Sequence, residues 1–167
     1  KSYYDDDAYA EYDLYPPANL VQVEDGLEDL DGDVWAWTGY RFKYTGNSAS
    51  ADIEADDVDI SGNLGVSALG GSAQFSTYFR LYDATDSEYV MDELVRYDTI
   101  IFSEKGPNYA SVAGSSDESE TELLLKDHTY VAMIITKGYT RSVAGTAYVN
   151  NALPTGAEWD EIRVDLR

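Results

Sequence analysis

The sequence predicts an all-β protein: an antiparallel β-sandwich, jelly-roll-like, with eight to ten strands. Three observations carry this. Apolar and polar residues alternate with period two in several stretches, most clearly Ala73, Phe75, Thr77, Phe79 and Leu81. Turn-forming clusters such as Gly46-Asn47-Ser48 and the segment Asp83 to Asp86 fall between those stretches. No stretch holds a helical apolar stripe for more than about three turns. A string of short strands joined by turns packs most naturally as two facing sheets.

Residues 1–17, KSYYDDDAYAEYDLYPP, carry five tyrosines and five carboxylates. Pro16 and Pro17 impose an extended exit. This segment is expected to dock on its own domain or on a neighbouring subunit, and residues 18–167 to form one sandwich domain. Asn19 to Glu24 is a short apolar alternation, followed by the acidic loop EDGLEDLDGD at Glu24 to Asp33. VWAWTGYRFKY then reads as a long strand. Tyr40, Phe42 and Tyr44 share one face, Trp35 and Trp37 take the opposite parity, and Gly39 marks an expected bulge or bend. In ASADIEADDVDI, Ala49, Ala51, Ile53 and Ala55 alternate, and Val58 and Ile60 switch parity across Asp56-Asp57. A parity switch is the mark of a β-bulge.

From Ser61 to Tyr82 only Arg80 is charged. Tyr89 to Phe102 predicts one or two strands with a polar break near Asp92, a short helix being the competitor. Ser103 to Ser119 reads as a long Gly/Ser/Asp loop. After the turn Lys126-Asp127-His128 comes a strand apolar on both faces: Thr129, Val131, Met133 and Ile135 on one, Tyr130, Ala132 and Ile134 on the other. Such a strand is expected to be central and covered on both sides. RSVAGTAYV follows, then a turn at Pro154 to Gly156 and a closing strand with Ile162, Val164 and Leu166 on one face. No internal repeat is visible.

The 167 residues include 32 acidic and 11 basic ones, a formal charge of −21, and no cysteine. Disulfides and thiolate metal sites are therefore excluded. A field of this sign repels phosphate, so the chain is not expected to bind nucleic acid or an anionic membrane. The longest apolar run, Val131 to Ile135, is far too short to span a bilayer, so no membrane insertion is expected. With 22 aromatics, 15 of them tyrosine, the chain is not an acidic disordered tail. The charge reads as the anionic shell of a folded protein that lives in brine, where a Debye length of about 3 Å at molar salt screens self-repulsion. Divalent-cation binding and mimicry of a nucleic acid are the alternatives. The chain opens at Lys1 on a polar stretch, which predicts a mature form whose leader was removed; a lost initiator Met or an expression artefact explains it nearly as well. It holds no Asn-x-Ser/Thr sequon.

Catalytic machinery is sparse. His128 is the sole histidine and sits in a turn. No nucleophile elbow, phosphate-binding loop, dinucleotide fingerprint or zinc-protease motif occurs. A carboxylate pair able to hydrolyse glycosides cannot be chosen from 32 acids. The chain is expected to have no enzymatic activity. Calcium needs six to eight oxygens, so clustered carboxylates are the candidate metal ligands: Asp29, Asp31 and Asp33 in one group, Asp56, Asp57 and Asp59 in the other. Asp5, Asp6 and Asp7 form a further cluster. The Asp29 loop is not an EF-hand, because its Gly falls at the fourth position and Tyr40 stands where the bidentate Glu belongs. In a brine protein such clusters are mostly hydrated surface; calcium is the other reading, with the Asp29 loop ahead. Tyr3, Tyr4, Tyr9, Tyr12 and Tyr15 exceed what a self-contained core needs and are candidate subunit-interface residues, local packing being the alternative. Trp35 and Trp37 read as core residues; a sugar-stacking platform with Tyr40 is the other reading.

The stretches FRLYDAT (Phe79 to Thr85), LLLKDHTYVAMI (Leu123 to Ile134) and SVAGTAYV (Ser142 to Val149) resemble β-sandwich domains of secreted and virus-encoded surface proteins of halophilic archaea. The layout is also similar to jelly-roll subunits of archaeal extracellular filaments and tubes. The resemblance covers about half of the chain and implies an extracellular, cell-surface or virion location. It also implies an N-terminal segment that completes a neighbour's sheet, and calcium at contacts. The expected function is a non-enzymatic structural subunit that assembles with copies of itself into a filament, tube or virion lattice. The alternative is a secreted calcium-dependent module that binds a glycan.

Overall fold

A computed structural model describes residues 8–14, 17–25, 31–67, 70–101, 108–141, 147–150 and 157–167, with side chains from Gly32 onward. The elements are β1 (Ala8–Leu14), β2 (Pro17–Asp25), β3 (Asp31–Lys43), β4 (Ala49–Val66), β5 (Ser72–Asp83), β6 (Glu88–Ile101), β7 (Asn108–Leu124), β8 (Thr129–Arg141), β9 (Ala147–Asn150), β10 (Ala157–Glu158) and β11 (Glu161–Leu166). Nine of them run six residues or longer, and there is no helix among the described residues.

All pairings are antiparallel, and they build two sheets. One has the order β3-β8-β5-β6. In the other, β2 pairs with β9, β9 with β4 and β4 with β7. Strands β2 to β9 thus fill the orders β2-β9-β4-β7 and β3-β8-β5-β6, the double Greek key of a jelly roll. β1 extends the larger sheet beyond β2, while β10 and β11 pair along β4 in line with β9. The larger sheet has seven strands in all.

The core lies between the sheets. Phe75, Phe79, Leu81, Tyr130 and Ile134 come from the four-stranded sheet, and Ile53, Val58, Leu64 and Val149 from the seven-stranded one, with Trp159 beside them. Fully burying each of the larger side chains is worth roughly 1.5–3 kcal/mol. Against this, the hydroxyls of Thr77, Thr136 and Thr140 and the indole nitrogen of Trp159 are buried with no hydrogen-bond partner among the described residues. Each such group costs about 1–3 kcal/mol.

The bulge expected at Asp56-Asp57 is present: the β4–β7 register shifts between Ala55 and Val58, and Asp57 has φ of 49°. The short aspartate side chain tolerates this left-handed conformation. β8 is central as expected, but it is not covered on both sides: Val131, Met133 and Ile135 look out from the sheet, away from the core. Two further expectations need correction. Of the loop expected at Ser103 to Ser119, residues 103–107 lie outside the described residues and Asn108 to Ser119 belong to a 17-residue strand, Asn108–Leu124, paired along β4. It lies at the sheet's edge, so its backbone ladder holds it while only Val112 and Leu124 along it are buried. Gly39 marks no bulge, since the β3–β8 register runs through it unbroken. A Cβ there would collide with the Ala132 carbonyl oxygen and come within 2.7 Å of Met133 Cα and Cβ, so glycine permits the close approach of β8. Glu88–Ile101 is one strand, not a helix. Its register against β5 shifts twice, between Thr77 and Tyr78 and between Leu81 and Tyr82.

Candidate functional site

On β3, Val34, Ala36 and Thr38 face the core and are buried. Trp35 and Trp37 point the other way and are half-buried. This corrects the reading of these tryptophans as core. The inner face of the same sheet already carries Phe75 and Phe79 on β5 and Tyr130 on β8, and Trp159 enters the same core, so small residues suffice on β3. The tryptophan that does enter the core is Trp159, 2% exposed.

The registers lay out the outer face of the four-stranded sheet as cross-strand rows. Trp35 stands opposite Lys137, which stands opposite Ser76 and then Tyr97. The next row is Trp37, Ile135, Tyr78 and Leu94, then Gly39, Met133, Arg80 and Asp92, then Arg41, Val131, Tyr82 and Tyr89. Side chains directly opposite one another lie close enough to touch. Together they shape an open trough of about 530 Å³, its apolar floor formed by Val131, Met133 and Ile135 and its walls by Trp35, Trp37, Tyr82 and Tyr89. Asp33, Arg80 and Lys137 supply its polar groups. Tyr40, 55% exposed, has the other parity and does not join this face.

Charge in the trough is arranged by specific contacts. Arg80 donates from Nε to Asp92 Oδ1 at 2.6 Å and from a terminal nitrogen to Oδ2 at 3.0 Å, a two-pronged ion pair across the β5–β6 ladder. Its guanidinium also lies 4.4 Å from the Tyr78 ring centre and 4.9 Å from that of Tyr89. Lys137 Nζ lies 5.2 Å from the same Tyr78 ring. Burial, then the nearby Arg80 charge, lower the pKa of the Lys137 ammonium, with Asp33 and Asp92 opposing. An apolar, aromatic-walled groove with a few fixed polar groups is the usual chemistry of a small-molecule or oligomer site.

The proposed metal ligands are differently placed. Asp29 lies outside the described residues. Asp31 stands at the start of β3 opposite Arg141, and exposed Asp33 lines the trough. Asp57 and Asp59 meet Glu158, Trp159 and Asp160 around a cleft of about 320 Å³. The Asp57 carboxyl is raised in pKa by the charge of Asp117, then Asp160. Asp56 is engaged by Arg163 at 2.7 Å. Among the described residues, the group of three whose candidate ligand atoms all lie within 4.8 Å of one another is another one: Asp83, Asp86 and His128. There, His128 Nδ1 lies 2.7 Å from Asp83 Oδ2, and Asp83 Oδ1 accepts from the Thr85 and Asp86 amides. Asp83 is 1% exposed; the two amide bonds close the β5–β6 turn, and the His128 contact ties that turn to the one before β8. Sequence reasoning placed His128 in its turn but missed this partner, 45 positions away. Of the candidate interface tyrosines, Tyr9 and Tyr12 stand in β1 opposite Gln22 and Asn19. Tyr3, Tyr4 and Tyr15, like the Asp5 to Asp7 cluster, lie outside the described residues.

No family model and no curated protein sequence matches the chain, so no sequence match supports the resemblance to halophilic archaeal surface proteins. Solved structures offer weak likenesses. The chain is similar to a carbohydrate-binding module specific for non-crystalline cellulose, CBM28, at 15% identity and a TM-score of 0.33, over 92% of this chain and 80% of that one. It is similar to Caldicellulosiruptor saccharolyticus CBM27-1, solved in complex with mannohexaose, at 11% identity and a TM-score of 0.27, over 96% and 88%. A chain from infectious bursal disease virus, Gx strain, gives 10% identity and a TM-score of 0.29, over 95% of this chain and 40% of that one. What the structure itself defines is a jelly-roll β-sandwich with an aromatic trough on the outer face of its four-stranded sheet.

Proposed function

We propose that this protein is a non-catalytic, extracellular carbohydrate-binding module that holds a glycan along the trough of its four-stranded sheet. One observation carries the reading: Trp35 and Trp37 stand side by side on the outside of the sheet rather than in the core. The C–H face of a pyranose is apolar and its rim is polar. Indole and phenol rings accept the first, and Asp33, Arg80, Asp92 and Lys137 stand ready to hydrogen-bond the second. The test is titration calorimetry against a panel of soluble polysaccharides, with Trp35→Ala and Trp37→Ala. A central aromatic anchor is worth 2 kcal/mol or more, so each change is expected to weaken binding about 30-fold or more while melting moves little. Binding that survives both changes overturns the reading.

Self-assembly into a filament or virion lattice is a second reading. It is favoured by the place of β1, which ends the seven-stranded sheet with its far edge unpaired among the described residues. Such an edge offers main-chain hydrogen bonds to a second copy, with Tyr9 and Tyr12 on the same strand and calcium bridging Asp57 and Asp59 to a neighbour. Particle size by light scattering in high salt tests it. Deleting residues 1–17, or adding chelator, is expected to dissolve the particles; a monomer under all conditions rules the assembly out.

A further inference from the structure

The trough holds two cations in a chain whose formal charge is −21. They differ in what they already hold. Arg80 is committed to Asp92 through two hydrogen bonds. Lys137 has no carboxylate within ion-pairing distance among the described residues, and its ammonium rests against the Tyr78 ring instead. Among the other described cations, Arg96, Arg163 and Arg167 each reach an aspartate or glutamate, while Arg41, Lys43 and Lys126 are exposed to solvent. In a chain with 32 acidic residues, a half-buried ammonium left among aromatics and next to another cation is the exception. Its position is also specific. Lys137 stands on the central strand directly opposite Trp35, with Ser76 and Tyr97 completing the row. A sugar ring stacked on Trp35 would have this ammonium as its cross-strand neighbour.

We infer that the glycan bound in the trough is an acidic one, whose uronic-acid carboxylate pairs with Lys137 beside Trp35. This rests on the reading of the trough as a glycan site and adds the class of sugar. The anion supplies the partner that the folded chain withholds from Lys137, in a half-buried place where pairing is screened less than at open surface. Asp33 and Asp92, on the flanking strands, limit how much negative charge the trough accepts. That favours spaced single carboxylates over dense sulfation.

The experiment compares the full chain with α- and β-linked polyuronates and with the same polymers after carboxyl reduction, which makes them neutral at unchanged linkage. Calorimetry in about 1 M NaCl suppresses long-range repulsion from the protein's net charge. At least one polyuronate is expected to bind about tenfold tighter than its reduced counterpart. Lys137→Met keeps the apolar stem and removes the charge; it is expected to erase that preference, so that the acidic polymer and its reduced counterpart bind within about twofold of each other. If every reduced polymer binds as well as its acidic parent, or the preference survives Lys137→Met, the inference falls and the glycan reading stands. If the wild type binds none of the polymers, acidic or neutral, both fall together.

Discussion

On the outer face of the seven-stranded sheet, Asp52, Glu54 and Asp56 run along β4, each held from a neighbouring strand. Thr121 donates to Asp52 at 2.7 Å and Ser119 to Glu54 at 3.4 Å from the β7 side. From the β11 side, Arg167 reaches Asp52 at 2.8 Å, and Arg163 reaches Glu54 at 3.0 Å and Asp56 at 2.7 Å. On the outer face of the four-stranded sheet, acids give way to Trp35, Trp37, Tyr82 and Tyr89, and Lys137 is left without an acid. The first three acids are satisfied within their own sheet, whereas the other face keeps apolar rings and an ammonium without a carboxylate partner. Exposed ion pairs of the first kind add little stability individually, so that face chiefly sets solubility and salt response. The second kind of surface is the one on which a ligand gains most.

A matched pair of glycines breaks the comparison most forcefully. Gly39 and Gly65 both point outward, one on each sheet. A Cβ at Gly39 meets the backbone of Ala132 and Met133, whereas at Gly65 it meets only the movable ring of Tyr148. Gly39→Ala is expected to cost about 1–3 kcal/mol through a forced shift of β3 against β8, and to disturb the trough. Gly65→Ala is expected to cost clearly less. Urea denaturation midpoints of the two variants give the ranking, and equal costs would refute it.

The pair His128 and Asp83 sits at the rim, outside both faces, and so separates stability from binding. Its hydrogen bond to Asp83 raises the His128 pKa. Burial pushes Asp83 up, but the bonds from His128 and the Thr85 and Asp86 amides outweigh it, and its pKa is lowered. The histidine's contribution is full below its unfolded value and is lost as pH rises through its raised folded value. The aspartate's is present above its unfolded value and is lost as pH falls through its lowered one. Melting temperature is therefore expected to peak between those limits. His128→Asn should remove the loss on the alkaline side and leave glycan affinity unchanged. A pH profile identical to wild type contradicts this.

The smallest effect concerns the acidic face. The Asp57 pKa is raised by Asp117 and Asp160, so its charge works against folding at neutral pH, and the penalty is relieved as pH falls through the folded value. Asp57→Asn keeps a side chain suited to φ of 49° and is expected to raise melting slightly in low salt. The gain should vanish in molar NaCl; a gain of the same size at both salt concentrations would show that charge is not its source.

Much of this molecule is readable along the chain wherever one parity is apolar and the other polar, as in β5 and in β4 up to its bulge. β7 was not readable for a physical reason. Only Val112 and Leu124 in it are buried, so hydrophobic contrast, the signal on which strand reading depends, is nearly absent. A fainter trace exists: Glu118, Glu120 and Glu122 alternate with Ser119, Thr121 and Leu123. The trough was half legible. The sequence shows Trp35 and Trp37 on one parity and Val34 and Ala36 on the other, but both parities are apolar. Only the bulk of Phe75, Phe79 and Tyr130, set on the inner face of the same sheet by β5 and β8, decides which pair is turned out. Lys137 gave no sign at all, because its significance depends on the register that sets it opposite Trp35.

The eighteen-residue length of β4 has a temporal consequence. One of its flanks is lined by β11, β10 and β9, whose residues come late in the chain. Arg163 reaches back 109 positions to Glu54 and Arg167 reaches back 115 to Asp52. During synthesis that flank stays bare until nearly all of these residues have emerged. Pairings this remote place the protein among slow folders, on the order of milliseconds to seconds, with a long naked ladder as the interval's chief hazard.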